Sequence, residues 1–142
     1  MKIDVHFEPA KPLPDLTGSL VVVIDVLRAT SSMVEALVNG AQGVYPAPST
    51  EEAIKLASSL GREDTILCGE ARGLKIEGFD LGNSPSEFSA ERVAGKRLVM
   101  STTNGTRAFF LVEDAVSVWA CSFMNLSAVA SAAMEADSII VV

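Results

Sequence analysis

Leu20-Val21-Val22-Val23-Ile24-Asp25 is the stretch on which the fold turns. Five branched aliphatic residues follow one another without the polar alternation of a half-exposed strand, so both faces of this strand must be covered. A run of that kind belongs to an open parallel sheet with helices on both sides. The carboxylate that closes it stands at the edge where such sheets bind ligands.

Outward from this strand, further β-branched runs cover residues 2–6, 43–47, 65–68, 97–101, 117–120 and 138–142. Stretches of helical period separate them. Ser49 with Glu52 three residues on forms a capping box for a helix that stops at Leu60-Gly61. Ser84-Pro85-Ser86-Glu87 supplies a cap, a proline at the first helical position and the reciprocal glutamate. Other helices are expected over 30–38, ending at Asn39-Gly40, and over 105–112 and 125–134. Repeated βα units predict an α/β protein, a three-layer α/β/α arrangement with a mostly parallel sheet. Residues 1–142 make one domain. The chain stops on the apolar run Ser138-Ile139-Ile140-Val141-Val142, and a bare strand invites pairing. The expectation is therefore the N-terminal part of a longer protein.

The chain carries 18 acidic against 11 basic residues, a net charge of −7, and its cations are scattered. That argues against nucleic acid as a partner, so any anion site must be focused by a few cations and backbone N–H groups. No apolar stretch approaches a membrane span and no signal-peptide core is visible, which makes the expected location cytoplasmic. Cys68 and Cys121 end apolar runs and are expected to be reduced and buried. Trp119 and Phe123 are expected to pack in the core. His6 is the single histidine. A histidine-ligated zinc and a Ser-His-Asp triad therefore both lack partners.

Three polar clusters fall at strand ends. Asp25-Val26-Leu27-Arg28-Ala29-Thr30 offers a carboxylate for a hard cation or for attack on phosphorus, a guanidinium for phosphate, and a helix start for an anion. The same residues would also serve to tie the loop together. Ser101-Thr102-Thr103-Asn104-Gly105-Thr106 packs hydroxyls, an amide and a glycine between a strand and a helix, as a phosphate cradle requires. It lacks Gly-Lys-Ser/Thr, which argues against nucleoside triphosphates. The third covers residues 69–85, of which 69–83 are the longest non-periodic segment. Glu70 begins it at a strand end, Asp80 and Asn83 flank glycines, and Ser84 caps the next helix. Carboxylate, amide, hydroxyl and guanidinium are the groups of Mg²⁺-assisted phosphoryl transfer.

Asp25-Val26-Leu27-Arg28-Ala29-Thr30, Gly78-Phe79-Asp80-Leu81-Gly82-Asn83-Ser84-Pro85 and Thr102-Thr103-Asn104-Gly105-Thr106, in this order and spacing, resemble the 2-phosphosulfolactate phosphatase (ComB) family over essentially the whole chain. The resemblance implies Mg²⁺-dependent hydrolysis of (2R)-2-phospho-3-sulfolactate, or a similar small phospho-acid, to 3-sulfolactate and phosphate. In methanogens that step belongs to coenzyme M biosynthesis. A mechanism consistent with these residues puts Asp25, Arg28 and Glu70 in the chemistry, with Asp25, Glu70 and Asp80 on Mg²⁺. Arg28, Thr30, Asn83, Ser84, Thr102, Thr103, Asn104, Gly105 and Thr106 would hold substrate and phosphate. Water attack is preferred over an aspartyl-phosphate, because Leu27 stands where an Asp-x-Asp pattern needs a second aspartate. A homodimer is expected. The competing reading is an anion-binding α/β domain without turnover.

Overall fold

The structure, a computed structural model, describes residues 1–8 and 15–142. Its elements run β1 (Lys2–Val5), β2 (Leu20–Ile24), α1 (Ala29–Val38), β3 (Gly43–Pro46), α2 (Thr50–Leu60), β4 (Thr65–Ala71), β5 (Leu74–Lys75), α3 (Ala90–Val93), β6 (Arg97–Ser101), α4 (Gly105–Leu111), β7 (Ser117–Cys121), α5 (Leu126–Ala133) and β8 (Ser138–Val141). All seven expected strands are present. At α2 half of the expected capping box forms: the Ser49 side chain accepts the Glu52 N–H at 3.2 Å, while the Glu52 carboxylate pairs with Lys55 at 2.9 Å. Glu51 and Glu52 lie in its first turn, at the positive end of the helix dipole.

Among the described residues the strands form two four-stranded sheets, where the sequence suggested one. The first, in the order β1-β8-β2-β7, is parallel throughout. The second, β3-β6-β4-β5, is parallel except for the β4–β5 hairpin. β8 is paired on both sides, by β1 and β2.

Each sheet is a central layer between helices. Val21, Val22 and Val23 are 0%, 4% and 1% exposed, as a strand covered on both faces requires. Val21, Val23 and Ile140 pack with Ala108 and Val112 of the α4 region, while Leu20, Val22 and Ile139 pack with Ala133 of α5. In the second sheet Leu67 and Val99 meet Ala53 and Ala57 of α2. On its other face Cys68, Leu98 and Met100 meet Met33 and Ala36 of α1. Burying these aliphatic side chains contributes on the order of 1.5–3 kcal/mol each for the larger ones. α1 joins the sheets: it packs on the second, and the Thr30 hydroxyl lies 2.7 Å from the Cys121 carbonyl of β7 in the first.

Three expectations are corrected. The segment after Cys68 is not irregular throughout, because β4 runs on to Ala71 and turns back as β5. Ile76 and Phe79 then anchor it in the α2-side core. The helix at Ser84 is one 3₁₀ turn, Pro85–Glu87, after which the chain re-caps at Ser89 to start α3. Burial of Phe88, 0% exposed, takes the backbone out of helical register there. Trp119 packs against the α5-side core, but Phe123 is exposed. Both cysteines are free and buried, and burial pushes the Cys68 thiol far above the ordinary range.

Candidate active site

Asp25 and Thr103 stand just past the ends of β2 and β6, Glu70 is the penultimate residue of β4, and each is placed by a specific local device. At β2, the Thr30 side chain accepts the Asp25 N–H at 3.0 Å and sits 2.8 Å from the Asp25 carbonyl. This knot fixes the backbone on either side of the carboxylate. Gly105 lies so close that an added Cβ would come 2.5 Å from Asp25 Oδ2 and 2.3 Å from the Ala29 Cβ. A glycine is needed there to let the start of α4 reach the acid.

At β4, Gly69 takes φ +142° and leaves no room for a side chain against the Ser101 carbonyl of β6. That close approach carries Glu70 to the loop after β6. Its Oε1 accepts the Thr103 N–H at 2.7 Å, and its Oε2 accepts the Gly73 N–H at 2.7 Å and the Thr103 hydroxyl at 3.1 Å. Arg28 donates to the Gly73 carbonyl at 3.3 Å, which brings the first cluster onto the β4–β5 turn.

The two carboxyls differ in electrostatics. Burial, with the Glu70 charge adding to it, raises Asp25 above the usual carboxylate range; the Ala29 N–H and Arg28 oppose that shift. Burial also resists ionisation of Glu70, but the Thr103 and Gly73 N–H groups, the Thr103 hydroxyl and Arg28 outweigh it and hold the acid below its usual range. Two acids whose charges interact, with Arg28 acting on both, form one electrostatic unit. A cavity of about 960 Å³ opens beside Asp25, with Asn104, Gly105 and Arg107 among its lining residues along with Val23 and Phe110. That is ample for a small ester.

The structure brings together Asp25, Arg28, Glu70, Thr103, Asn104 and Gly105, and it gives the other expected residues different surroundings. Thr30 is fully buried with its hydroxyl used inside the fold. Thr102 and Thr106 are buried and bond to one another: the Thr106 hydroxyl accepts the Thr102 N–H at 3.0 Å, and the Thr102 hydroxyl accepts the Thr106 N–H at 2.9 Å. Asn83 is buried, its carbonyl accepting the Ser32 hydroxyl at 2.9 Å and its side-chain oxygen without a partner among the described residues. Ser84 belongs to a capping box, with Glu87 accepting its N–H at 3.3 Å. These polar residues shape the loops rather than face the cavity.

Asp80 is the clearest displacement. Its carboxylate receives Arg62 through two contacts of 3.0 and 2.8 Å and the Leu67 N–H at 2.8 Å, near the start of β4 rather than its end. Among the described residues no group of three His, Cys, Asp or Glu converges to hold a metal. Asp80→Asn is therefore expected to cost about 0.5–1 kcal/mol in urea unfolding, since the ion pair is partly solvated. Metal dependence of any activity should stay unchanged, and a lost metal requirement would return Asp80 to the site.

Sequence reasoning passed over Arg107, which shares the cavity with Asp25. Its position two residues after Gly105, on the same helix start, was the available signal. It also passed over Arg72-Gly73, a two-residue hairpin turn between Ala71 and Leu74. The familiar signal for such a turn is Asn-Gly or Asp-Gly, and Arg-Gly hides it.

Fold and site together define an α/β protein of parallel strands that gathers carboxylate, guanidinium and hydroxyl groups, with no histidine among them, where β2, β4 and β6 end. The chain belongs to the family described as 2-phosphosulpholactate phosphatase, whose profile matches residues 7–142. Relatives named "Probable 2-phosphosulfolactate phosphatase" include one from Thermotoga petrophila, 44% identical over 140 residues, which are 99% of this chain and 58% of the relative. One from Clostridium perfringens strain 13 is 49% identical over 134 residues, 92% of this chain and 54% of the relative. One from Caldanaerobacter subterraneus is 50% identical over 116 residues, 82% of this chain and 48% of the relative. The chain thus spans roughly half the length of these relatives. No helix among the described residues is long and apolar enough to cross a membrane.

Proposed function

We propose that this chain carries the phosphoryl site of a phosphatase acting on a small phospho-acid, (2R)-2-phospho-3-sulfolactate or a close analogue, with Mg²⁺ as cofactor. The observation that carries the reading is the convergence of the strand-end loops: Glu70 accepts the N–H groups of Thr103 and Gly73, and Arg28, three residues after Asp25, donates to the Gly73 carbonyl. The donor set suits Mg²⁺, which takes oxygen ligands, often one or two carboxylates completed by water and phosphate. Burial and the neighbouring Glu70 disfavour the Asp25 anion, a penalty that a cation beside it would relieve. Asp25 and Glu70 are the residues proposed to hold the ion. Bound there, Mg²⁺ would neutralise charge on the phosphate oxygens.

The chain's own groups would do the rest. Arg28 offers a fork matched to phosphate oxygens. The N–H groups of Asn104 and Gly105 have no acceptor among the described residues, which leaves them for the phosphoryl oxygens. Glu70 fixes Thr103 and the β4–β5 turn, so the cradle is preorganised before substrate arrives. The cavity beside Asp25 would take the organic end of the ester. An attacking water is preferred over a covalent phosphoryl-enzyme.

The test is phosphate release from phosphosulfolactate and from phospholactate by the complete protein, with Mg²⁺ and with a chelator. We expect Mg²⁺-dependent release, and a loss of about 100-fold or more in Glu70→Gln. Full Mg²⁺-dependent turnover in that variant would remove Glu70 from the site. Binding without release would favour the anion-binding domain instead.

A further inference from the structure

The β4–β5 turn is built against the preference of its own sequence. Arg72 has φ +54° and Gly73 φ +84°, the pattern of a two-residue type I′ turn between paired Ala71 and Leu74. Such a turn needs left-handed backbone at both central positions, which asparagine, aspartate and glycine adopt readily. Arg72 is the single non-glycine residue with positive φ among the described residues. Its Cβ crowds the following carbonyl in that conformation, a cost that asparagine or glycine would reduce or avoid.

No contact of the Arg72 side chain among the described residues offsets that cost. The Arg72 side chain is exposed, and among the described residues it has no ion pair and no hydrogen bond. The backbone of the turn, by contrast, is held by residues of the strand-end cluster. Thr103 Oγ1 accepts the Arg72 N–H at 3.2 Å, Glu70 accepts the Gly73 N–H at 2.7 Å, and Arg28 donates to the Gly73 carbonyl at 3.3 Å. Carboxylates outnumber cations in this chain, yet this turn sets a second arginine two residues after Glu70, its N–H on Thr103 and the next residue's carbonyl on Arg28.

We infer that Arg72 is a substrate-binding residue: its guanidinium takes the anionic groups of the incoming phospho-acid at the mouth of the site. Naming the ligand as a phospho-acid rests on the proposed phosphatase function; the anion-binding role rests on the turn itself. Three hydrogen bonds hold the backbone of this turn, so the arginine stands on a rigid support two residues from Glu70, with a fork that matches phosphate or carboxylate oxygens. A glycine or asparagine turn would be the better structural choice and the worse ligand.

The experiment compares wild type with Arg72→Gly, Arg72→Asn and Arg72→Lys in the complete protein. Thermal unfolding, KM and kcat for phosphate release, and binding of inorganic phosphate by calorimetry are measured for each. Arg72→Gly and Arg72→Asn are expected to unfold at the wild-type midpoint or a few degrees above it. Both should weaken phosphate binding and raise KM about tenfold, with Arg72→Lys between them and wild type. A residue with only a structural role would not give unchanged or higher stability together with weaker binding. Wild-type phosphate affinity and KM in Arg72→Gly and Arg72→Asn would overturn the assignment. If wild type binds phosphate but releases none from any ester, the phosphatase reading fails and the binding comparison still decides on Arg72. If wild type binds no phosphate at all, both fall.

Discussion

Asp25→Asn is expected to remove phosphate release and, at neutral pH, to stabilise the fold. The activity effect follows from geometry: Asp25 lines the cavity, and Gly105 approaches its Oδ2 without a side chain to stand between them. An amide there keeps the shape and loses the charge, so a loss of at least about 100-fold is expected. The stability effect follows from burial. Asp25 has a carboxyl raised in the folded state, first by burial and then by the Glu70 charge, so the native protein holds that proton more tightly than the unfolded chain. Stability drawn from this group is present below its unfolded pKa and is lost as pH rises through the folded value. Above that window the native state carries the penalty of a buried anion, which asparagine does not. The variant should therefore unfold at a higher temperature than wild type at pH 7. The difference should shrink as pH falls through the folded pKa and vanish below about 3.8. Thermal melts across the acidic to neutral range measure this. A lower melting point for Asp25→Asn at neutral pH would show that the native fold stabilises the Asp25 anion rather than penalising it.

Gly69→Ala is the second large effect, and it acts on the fold that carries Glu70. An added Cβ would lie 1.8 Å from the Ser101 carbonyl oxygen and 2.8 Å from its carbon. Both are backbone atoms of β6, in register with Gly69 in the β4–β6 ladder, so neither can swing aside. The backbone itself, at φ +142°, belongs to glycine. Overpacking and backbone strain each cost about 1–3 kcal/mol. Together they amount to about 2–6 kcal/mol, a large part of the stability of an ordinary domain. Urea unfolding should show that loss, and the remaining folded protein should have a displaced Glu70. A cost below about 1 kcal/mol would mean that β4 and β6 do not approach so closely at this point.

How far the site could be read beforehand differed by residue. Asp25 and Glu70 were visible because each stands at the end of an apolar strand, and a strand end in a parallel sheet is where ligands bind. Thr30, Thr102 and Thr106 were visible as polar residues in the right places, but a hydroxyl can serve the backbone as well as a phosphate. Only the folded distances show that these three serve the backbone. Asp80 lies 18 positions from Arg62 along the chain, so its ion pair could not be read from local pattern. Arg72 went unnoticed because its oddity is a dihedral angle, not a residue type.

The amino-acid sequence by itself determined the order and type of nearly every element. The reason is local: uninterrupted aliphatic runs must be covered on both faces, and Ser49, Gly61 and Asn39-Gly40 start or stop helices through bonds to their own neighbours. The tertiary structure decided how those strands divide into two sheets, since strand order depends on pairings such as Lys2 with Ser138, between residues from opposite ends of the chain. It also decided which polar groups meet. Glu70 reaches Thr103 because Gly69 lets two strands close up, and Asp25 meets α4 because Gly105 has no side chain to stand in the way.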